Sequence, residues 1–175
     1  MRYSKITISG KICTGKTTLF KKLVDKLDWP GFKTGRLFRD YVIKNKLDLE
    51  QVEEQSEFLT KKIDYQVRDM IYANGNLIVD GWMSGIMANN LKDVLRILLI
   101  CKDNIRYKRF ADREKIKDFE AAKKRVEDRQ LNWFNKLKKI YKRNDFVDPK
   151  NYNLIIDTSS ISSQAVLKKV LMALR

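Results

Sequence analysis

Gly10-Lys11-Ile12-Cys13-Thr14-Gly15-Lys16-Thr17 decides the fold, because it forms a complete G-x-x-x-x-G-K-[ST] motif. The apolar-alternating run of residues 5–9 comes directly before it, and residues 18–24 after it have helical periodicity. This strand–loop–helix setting separates a phosphate-binding loop from a glycine-rich turn before an ordinary helix. Glycines allow the backbone to curl so that successive amide N–H groups face an anion. The motif therefore predicts a binding site for the phosphates of a nucleoside triphosphate.

Two side chains of the motif carry chemistry of their own. Lys16 adds a positive charge for the β- and γ-phosphates, and the Thr17 hydroxyl is an oxygen ligand suited to Mg²⁺. Thr18 opens the following helix and completes the predicted binding segment. The predicted cofactors are therefore ATP and Mg²⁺.

Length and composition indicate one domain. The chain has 175 residues, which is long enough for a sizeable core. It has no stretch of about 18 uncharged apolar residues, which excludes a membrane span, and its N-terminus has no signal-peptide pattern. The two cysteines, Cys13 and Cys101, do not make a disulfide framework. We expect a monomer in the reducing cytoplasm.

The net charge of +15 is large, and much of it lies in the Lys/Arg-rich residues 102–143. It can indicate binding of nucleic acid or the solvated surface of an enzyme that handles phosphates. We favour the second interpretation, because acidic residues are interleaved with the basic ones throughout this segment. The chain has no histidine, so no histidine can act as a general base or a metal ligand.

Strands and helices alternate along the chain. Runs rich in Ile, Leu and Val predict strands at 4–9, 77–80, 94–101 and 153–157, with a weaker one at 32–34. Helical patterns cover residues 16–27, 35–46, 49–74, 103–113, 118–142 and 162–174. This order predicts a parallel sheet with right-handed crossovers, whose ligands bind at the carboxyl ends of the strands.

Residues that follow the strands are therefore candidates for the site. Gly35 permits close approach of a ligand, and Arg39 lies one helical turn beyond it, where it can grip a phosphate or remain a surface arginine. Asp80 ends a buried strand, is followed by Gly81, and can hold Mg²⁺ or cap the turn that follows.

Arginines recur at helical spacing in the basic segment. Arg106, Arg109 and Arg113 lie along one face of a predicted helix, and Arg125 and Arg129 repeat the four-residue step on the next. On a mobile helix pair they can neutralise charge during phosphoryl transfer and exclude water. The alternative is a solvated basic face.

At these residues the chain resembles the nucleoside monophosphate kinases, and most closely their archaeal cytidylate kinase-like branch. Five segments carry the resemblance: Ile6-Thr7-Ile8-Ser9-Gly10 with the loop, Thr34-Gly35-x-x-Phe38-Arg39, Asn76-x-Ile78-Val79-Asp80-Gly81, Arg106-x-x-Arg109-x-x-x-Arg113-Glu114, and Ile140-Tyr141 followed by Asp148-x-x-x-Tyr152-x-Leu154-Ile155-Ile156-Asp157-Thr158-Ser159. The second and the last segments are more selective than the phosphate loop.

The resemblance implies an α/β fold: a P-loop NTPase three-layer αβα sandwich with about five parallel strands. Residues 1–175 would form a single kinase domain. Within it, about 35–74 would form an insertion of helices that binds the acceptor nucleotide, and about 113–142 a helical lid.

The resemblance also implies roles for individual residues. The loop amides and Lys16 would hold the ATP phosphates, with Thr17 and Asp80 at Mg²⁺. The acceptor monophosphate would be received by Thr34, Gly35 and Arg39 and lined by Asp80 and Gly81. Arg109 would pack against the ATP base, and Arg113 and Arg129 would reach the phosphates from the lid. Residues 158–160, after the last strand, would border the adenine.

Two positions depart from the family pattern. Trp82 stands where an arginine is frequent after the Asp-Gly pair, and Lys136 stands near a frequent lid arginine and lacks its bidentate fork. Base choice depends on residues within 40–72 and 82–90 that the sequence does not identify, so the preference for cytosine rests on the resemblance.

The expected activity is reversible transfer of a phosphoryl group from ATP to a nucleoside monophosphate, with CMP or dCMP favoured. One alternative is a kinase of the same fold for another nucleotide or a small acid or sugar, with Asp80 as a base. Another is an RNA-binding protein that uses ATP as a switch through residues 102–143. A third is a kinase-like fold with weak activity.

Overall fold

The computed structural model describes residues 2–44, 46 and 57–175, apart from the side chains of Arg39 and Val42. In this part of the chain five parallel strands form one sheet in the order β2-β3-β1-β4-β5. The strands are β1 (Lys5–Ser9), β2 (Gly31–Lys33), β3 (Leu77–Asp80), β4 (Val94–Ile100) and β5 (Leu154–Asp157). The helices are α1 (Lys16–Leu27), α2 (Thr34–Lys44), α3 (Glu57–Tyr72), α4 (Ser84–Met87), α5 (Asp103–Glu114), α6 (Phe119–Tyr141) and α7 (Ser163–Ala173).

Strand β1 lies at the centre of the sheet and sets its register. Ile6 is aligned with Ile78 of β3 on one side and with Leu95 of β4 on the other. All five residues of β1 are buried, which suits a strand covered on both faces. Since the strands are parallel, their carboxyl ends meet at one edge of the sheet, where the segments after β1, β2 and β3 lie side by side.

Helices cover both faces of this sheet. On one face, Ile6 and Ile8 pack in a core cluster with Leu23 of α1 and Val170 of α7. On the other face, Val79 of β3 packs with side chains of α3 such as Val67 and Ile71. Complete burial of each such side chain contributes about 1.5–3 kcal/mol. The result is the three-layer αβα arrangement expected from the sequence.

Helix α6 is the longest helix in the described part of the chain, with 23 residues. Its N-cap is Asp118, directly before Phe119, and the Asp118 carboxylate accepts hydrogen bonds from the backbone N–H groups of Glu120 and Ala121. It ends where Lys142 takes the left-handed conformation, with φ 53°. The helix contains no glycine or proline, so one continuous rod links the α5 side of the molecule to α3.

Most predicted boundaries are confirmed to within one or two residues, with one instructive exception. Residue Thr34 was expected to end a short strand, but it begins α2, because its hydroxyl donates a hydrogen bond to the carbonyl oxygen of Asp80 and fixes the turn there. The long helix expected at 49–74 is confirmed as α3, and the part of that prediction covering 49–56 lies outside the described residues. Among the described helices, none is long and apolar enough to cross a bilayer.

Candidate active site

The loop between β1 and α1 has the backbone that the motif predicts. Gly10 has a φ of +143° and Gly15 a φ of +96°, both in the region that favours glycine. A Cβ on Gly10 would lie 2.3 Å from the carbonyl oxygen of Leu99, so no other residue fits there. Helix α1 begins immediately after Gly15, and the unpaired N–H groups of its first turn therefore face the loop. The loop is built to receive an anion.

Lys16 folds back over its own loop. Its ammonium group donates hydrogen bonds to the carbonyl oxygens of Gly10 and Lys11, each at 2.8 Å. On its other side lies the ring of Trp82, whose centroid is 5.7 Å from Nζ. Burial lowers the pKa of Lys16, and the nearby Asp80 carboxylate opposes that change. The ammonium is therefore held at the loop and is available to a phosphate that replaces the two carbonyls.

Asp80 brings a carboxylate to the same point. It is the last residue of β3, aligned with Ile8 and Lys33, and is 9% exposed. Its Oδ2 accepts a hydrogen bond from the Thr17 hydroxyl at 3.4 Å. A hydroxyl and a carboxylate beside a phosphate loop are the oxygen ligands that Mg²⁺ prefers, so these two side chains fit that ion.

The neighbours of Gly81 leave no room for a side chain at this position. A Cβ on this residue would lie 2.1 Å from the Thr34 hydroxyl oxygen, so the two backbones approach as closely as they do only because position 81 is glycine. The Gly81 carbonyl oxygen accepts hydrogen bonds from the hydroxyls of Ser9 (3.0 Å) and Ser84 (2.8 Å). Hydrogen bonds thus join the ends of β1 and β3 and the start of α2 into one rigid surface, which we call the floor of the site and which includes Ser9, Asp80, Gly81 and Thr34.

Arg109 ties α5 to the loop that follows β5. Its guanidinium donates hydrogen bonds to the hydroxyl (3.1 Å) and the carbonyl oxygen (2.6 Å) of Thr158. The Thr158 hydroxyl in turn donates to the carbonyl oxygen of Thr14, at 2.9 Å. Next to these groups is a pocket of about 230 Å³. It is lined by Gly15, Thr18, Leu19, Leu99, Arg109, Thr158, Ile161, Ser163 and Val166.

This pocket combines an apolar wall with a guanidinium beside the phosphate loop. That combination suits a flat, aromatic ligand group. The family resemblance implied that Arg109 and Thr158 border such a group, but it gave no role of this kind to Ile161 and Val166. Their apolar character was visible, but nothing local to them distinguished a pocket wall from ordinary core.

Arg106 differs from the expectation that it reaches phosphates from a mobile helix. It is 1% exposed, and its Nε donates to the carbonyl oxygen of Ile12 at 2.8 Å. Its other nitrogens pair with Asp103 and, at 2.5 Å, with Gln130 of α6. These partners engage all three guanidinium nitrogens, so Arg106 joins α5, α6 and the phosphate loop. The prediction of a phosphate contact was wrong for this arginine.

Arg113 and Arg129 are both exposed, near the phosphate loop. Burial raises the pKa of the Cys13 thiol, and the positive charges of Arg113, Lys16, Arg106 and Arg129 oppose the rise. These charges thus act on the loop from several sides. The Arg113 guanidinium also lies over the Phe110 ring, 5.3 Å from its centroid.

Helices α2, α3 and α6, which include residues expected to bind the acceptor, pack against one another. Thr34 is buried and Gly35 is exposed at the start of α2, whereas the predicted Arg39 side chain lies outside the described part of the structure. The Phe38 ring meets Trp133 of α6 edge-on at 5.2 Å. Helix α2 thereby contacts the long helix α6.

A buried carboxylate on α3 is the main feature that sequence reasoning missed. Asp64 is 4% exposed, and its Oδ2 accepts a hydrogen bond from the Tyr141 hydroxyl at 2.7 Å. Burial raises the pKa of Asp64 to about 6, although the Tyr141 hydrogen bond and the charge of Lys136 oppose that rise. The available signal was an aspartate on the same helix face as the buried Thr60, one turn away.

Comparisons with known proteins give a consistent result. A family model described as an AAA domain matches residues 6–132. A cytidylate kinase of Haloarcula marismortui is 29% identical over 171 residues, covering 96% of this chain and 88% of the relative. A cytidylate kinase of Archaeoglobus fulgidus is 30% identical over 177 residues, covering 97% and 93%.

Solved structures support the fold independently. A gluconokinase from Sinorhizobium meliloti aligns with a TM-score of 0.65 at 10% identity, covering 99% of this chain and 93% of that one. A shikimate kinase from Acinetobacter baumannii aligns with a TM-score of 0.62 at 11% identity, covering 98% and 92%. At such low identity these neighbours show the fold alone.

Fold and site together define a P-loop kinase, which is a phosphotransferase acting on nucleotides or other small molecules. Within this class the chain belongs to the matched AAA-domain family and to the nucleoside monophosphate kinases, on the branch of the archaeal cytidylate kinases.

Proposed function

We propose that this protein transfers the γ-phosphoryl group of ATP to a nucleoside 5′-monophosphate, with CMP and dCMP as preferred acceptors. The observation that carries the proposal is the continuous floor from Thr17 through Asp80 to Thr34, which places a phosphate loop directly beside the start of α2. Two anionic phosphate groups can meet across such a floor. The names of the archaeal relatives support cytidine as the base.

The reaction needs no general base. An oxygen of the acceptor phosphate is already an anion, so it can attack the γ-phosphorus directly while the bond from that phosphorus to the bridging oxygen of ADP breaks. Nothing becomes attached to the enzyme. Catalysis then comes from in-line alignment and from neutralising charge on the transferred oxygens.

On the donor side, the amides of the loop, from Gly10 to Thr18, would bind the ATP phosphates. Lys16 would leave the carbonyl oxygens of Gly10 and Lys11 and turn its ammonium to the β- and γ-phosphates. The Arg109 guanidinium would lie against the adenine in the pocket bordered by Thr158. Thr17 and Asp80 would hold Mg²⁺, which supplies positive charge to the phosphate oxygens when bound.

On the acceptor side, Thr34, Gly35 and Arg39 would bind the monophosphate, with Asp80 and Gly81 lining the cleft between the nucleotides. Arg113 and Arg129 would approach the phosphates from the lid when it closes. These two arginines and Lys16 form the cationic half of the site, whereas Arg106 only supports the loop. Each of these assignments can be tested by replacing that side chain with alanine and measuring the kinase activity.

The chain would work as one kinase domain over residues 1–175, with the acceptor-binding insertion at about 35–74 and the lid at about 113–142. We propose that it acts as a monomer in the cytoplasm. Nucleic acid is not the favoured partner, because buried contacts already engage part of the basic segment, as with Arg106.

An acceptor screen tests the function. The purified protein is mixed with ATP and Mg²⁺, and ADP release is coupled to NADH oxidation with CMP, dCMP, UMP, AMP, GMP, shikimate or gluconate as acceptor. We expect turnover with CMP and dCMP, slower turnover with the other monophosphates and none with the two acids. Turnover with a non-nucleotide alone would show a kinase of the same fold with another acceptor. RNA-stimulated ATP hydrolysis without any acceptor would show the switch alternative.

A further inference from the structure

Trp82 lies at the point where the donor and acceptor sides meet. It follows Asp80 and Gly81 directly and is half-buried. One side of its ring lies toward Lys16, with the centroid 5.7 Å from Nζ. The Phe134 ring of α6 meets it at a centroid distance of 5.3 Å and an interplanar angle of 82°. Trp82 thus bridges the lysine of the phosphate loop and the long helix.

The setting of this ring keeps it in place. It packs against a core cluster that contains Met83, Ile86, Leu137 and Phe146, all of them buried. An edge-to-face aromatic pair has a preferred geometry, so Phe134 opposes rotation of the indole. A tryptophan fixed in this way presents an apolar wall that a flexible side chain at the same position would not provide.

This wall lies next to the Lys16 ammonium. Its Nζ is 2.8 Å from each of two backbone carbonyl oxygens of the loop and 5.7 Å from the centroid of the Trp82 ring. Attraction to the ring favours an ammonium that stays close to it. The half-buried ring also occupies space next to Lys16, directly after the end of β3.

We propose that Trp82 is a positioning residue that holds the Lys16 ammonium at the transfer point and excludes water from it. This inference rests on the proposed function, because it concerns the same site. It assigns Trp82 no contact with the transferred group. Trp82 would affect the reaction in two ways, by positioning the Lys16 ammonium and by limiting the access of water to the transfer point.

Water exclusion decides between two fates of the γ-phosphoryl group. In transfer, an acceptor phosphate oxygen bonds to the γ-phosphorus, the bond to the bridging oxygen of ADP breaks, and ADP and a diphosphate product leave. In hydrolysis, a water oxygen forms that bond instead, the same bond breaks, and ADP, inorganic phosphate and a proton leave. A site open to water gives more of the second outcome.

The test measures this partition in Trp82→Ala and Trp82→Phe. Inorganic phosphate and phosphorylated acceptor are quantified per ADP formed, at saturating CMP. We expect Trp82→Ala to raise the hydrolysed fraction by at least about fivefold and to lower kcat more than it changes KM for CMP. Trp82→Phe should restore most of the coupling, because it keeps an aromatic face. Trp29→Phe is the matched control and should keep the wild-type partition, since Trp29 packs in a different core cluster, with Ile6 and Leu23.

An unchanged partition in folded Trp82→Ala would overturn the proposal. If Trp82→Ala does not fold, tryptophan fluorescence decides. Binding of ATP with Mg²⁺ should bring phosphate charge next to the Lys16 ammonium, which lies over the Trp82 ring, and so change the emission of wild type and Trp29→Phe, but not of Trp82→Phe. A full signal in Trp82→Phe would contradict the inference.

These readouts separate the inference from the proposed function. A wild type that phosphorylates no monophosphate, yet shows the Trp82-dependent signal and increased hydrolysis in Trp82→Ala, would refute the function and leave the inference standing. A wild type that phosphorylates CMP while Trp82→Ala keeps the same partition would refute the inference alone.

Discussion

The Tyr141 hydroxyl donates a hydrogen bond of 2.7 Å to the Asp64 carboxylate and so joins the last turn of α6 to the middle of α3. A second contact lies close by, an ion pair of 2.8 Å between Lys139 and Glu57. The first contact is buried, whereas the second lies at the surface. The buried pair therefore accounts for most of the polar energy at this junction.

Tyr141→Phe should destabilise the fold. The change removes only the donor and leaves the Asp64 carboxylate in a buried place without that hydrogen bond, which costs about 1–3 kcal/mol. Urea unfolding followed by circular dichroism measures the difference. Tyr65→Phe is the control, because Tyr65 lies on the same helix with 43% exposure and should stay within about 0.5 kcal/mol of wild type. Equal stability of Tyr141→Phe and wild type would contradict the assigned bond.

Asp64 should make stability fall as pH rises. Its pKa in the folded protein is about 6, above the usual aspartate value of 3.8, so between these two values the folded state binds more protons than the unfolded one. The contribution of Asp64 to the free energy of unfolding is therefore present at low pH, and it is lost as the pH rises through the pKa of Asp64 in the folded protein.

Comparison with Asp64→Asn isolates this effect from that of the other carboxyl groups. Asparagine can still accept the Tyr141 hydrogen bond but does not titrate. Between pH 5 and pH 7.5 wild type should lose about 1 kcal/mol relative to the variant. A difference that stays constant over this range would show that the Asp64 carboxyl is ionised throughout.

Arg106→Ala should destabilise the protein by about 2 kcal/mol or more, because it removes a buried guanidinium with three partners and leaves the Ile12 carbonyl oxygen unpaired. Thermal unfolding checks this. Lys108→Ala, on the exposed side of the same helix, should leave the midpoint nearly unchanged. A small effect of Arg106→Ala together with a large loss of ATP affinity would instead indicate that Arg106 binds phosphate.

Gly81→Ala should disturb the floor of the site. The new Cβ would meet the Thr34 hydroxyl at 2.1 Å, and overpacking of this kind costs about 1–3 kcal/mol. The double variant Gly81→Ala with Thr34→Ala removes the clashing oxygen and should recover part of the stability. A double-mutant cycle by urea unfolding measures the coupling. Simple additivity of the two changes would show that the residues do not touch.

The parts of the site that the sequence predicted depend on local patterns. The phosphate loop is a contiguous motif with fixed geometry, so its position and the start of α1 at Lys16 followed directly. Asp80 was identifiable because a carboxylate at the end of an apolar strand needs a function or a partner. Parallel topology then placed it beside the loop without further information.

The parts that were missed depend on contacts between distant segments. The helical spacing of Arg106, Arg109 and Arg113 does not reveal which neighbours each meets, and the structure buries the first of them under the phosphate loop. The pairing of Asp64 with Tyr141 joins residues 77 positions apart. Such a pair is defined by the packing of α3 on α6, which no local pattern specifies.

The measurement that tests the central claim most directly is the rate of ADP formation with ATP, Mg²⁺ and CMP, for wild type and Lys16→Ala side by side. If the loop binds the ATP phosphates and Lys16 neutralises their charge during transfer, wild type phosphorylates CMP. The Lys16→Ala variant should then be slower by about a thousandfold in kcat/KM. Circular dichroism confirms that the variant is folded. A wild type without CMP-dependent ADP formation, or a variant as fast as wild type, would contradict the account.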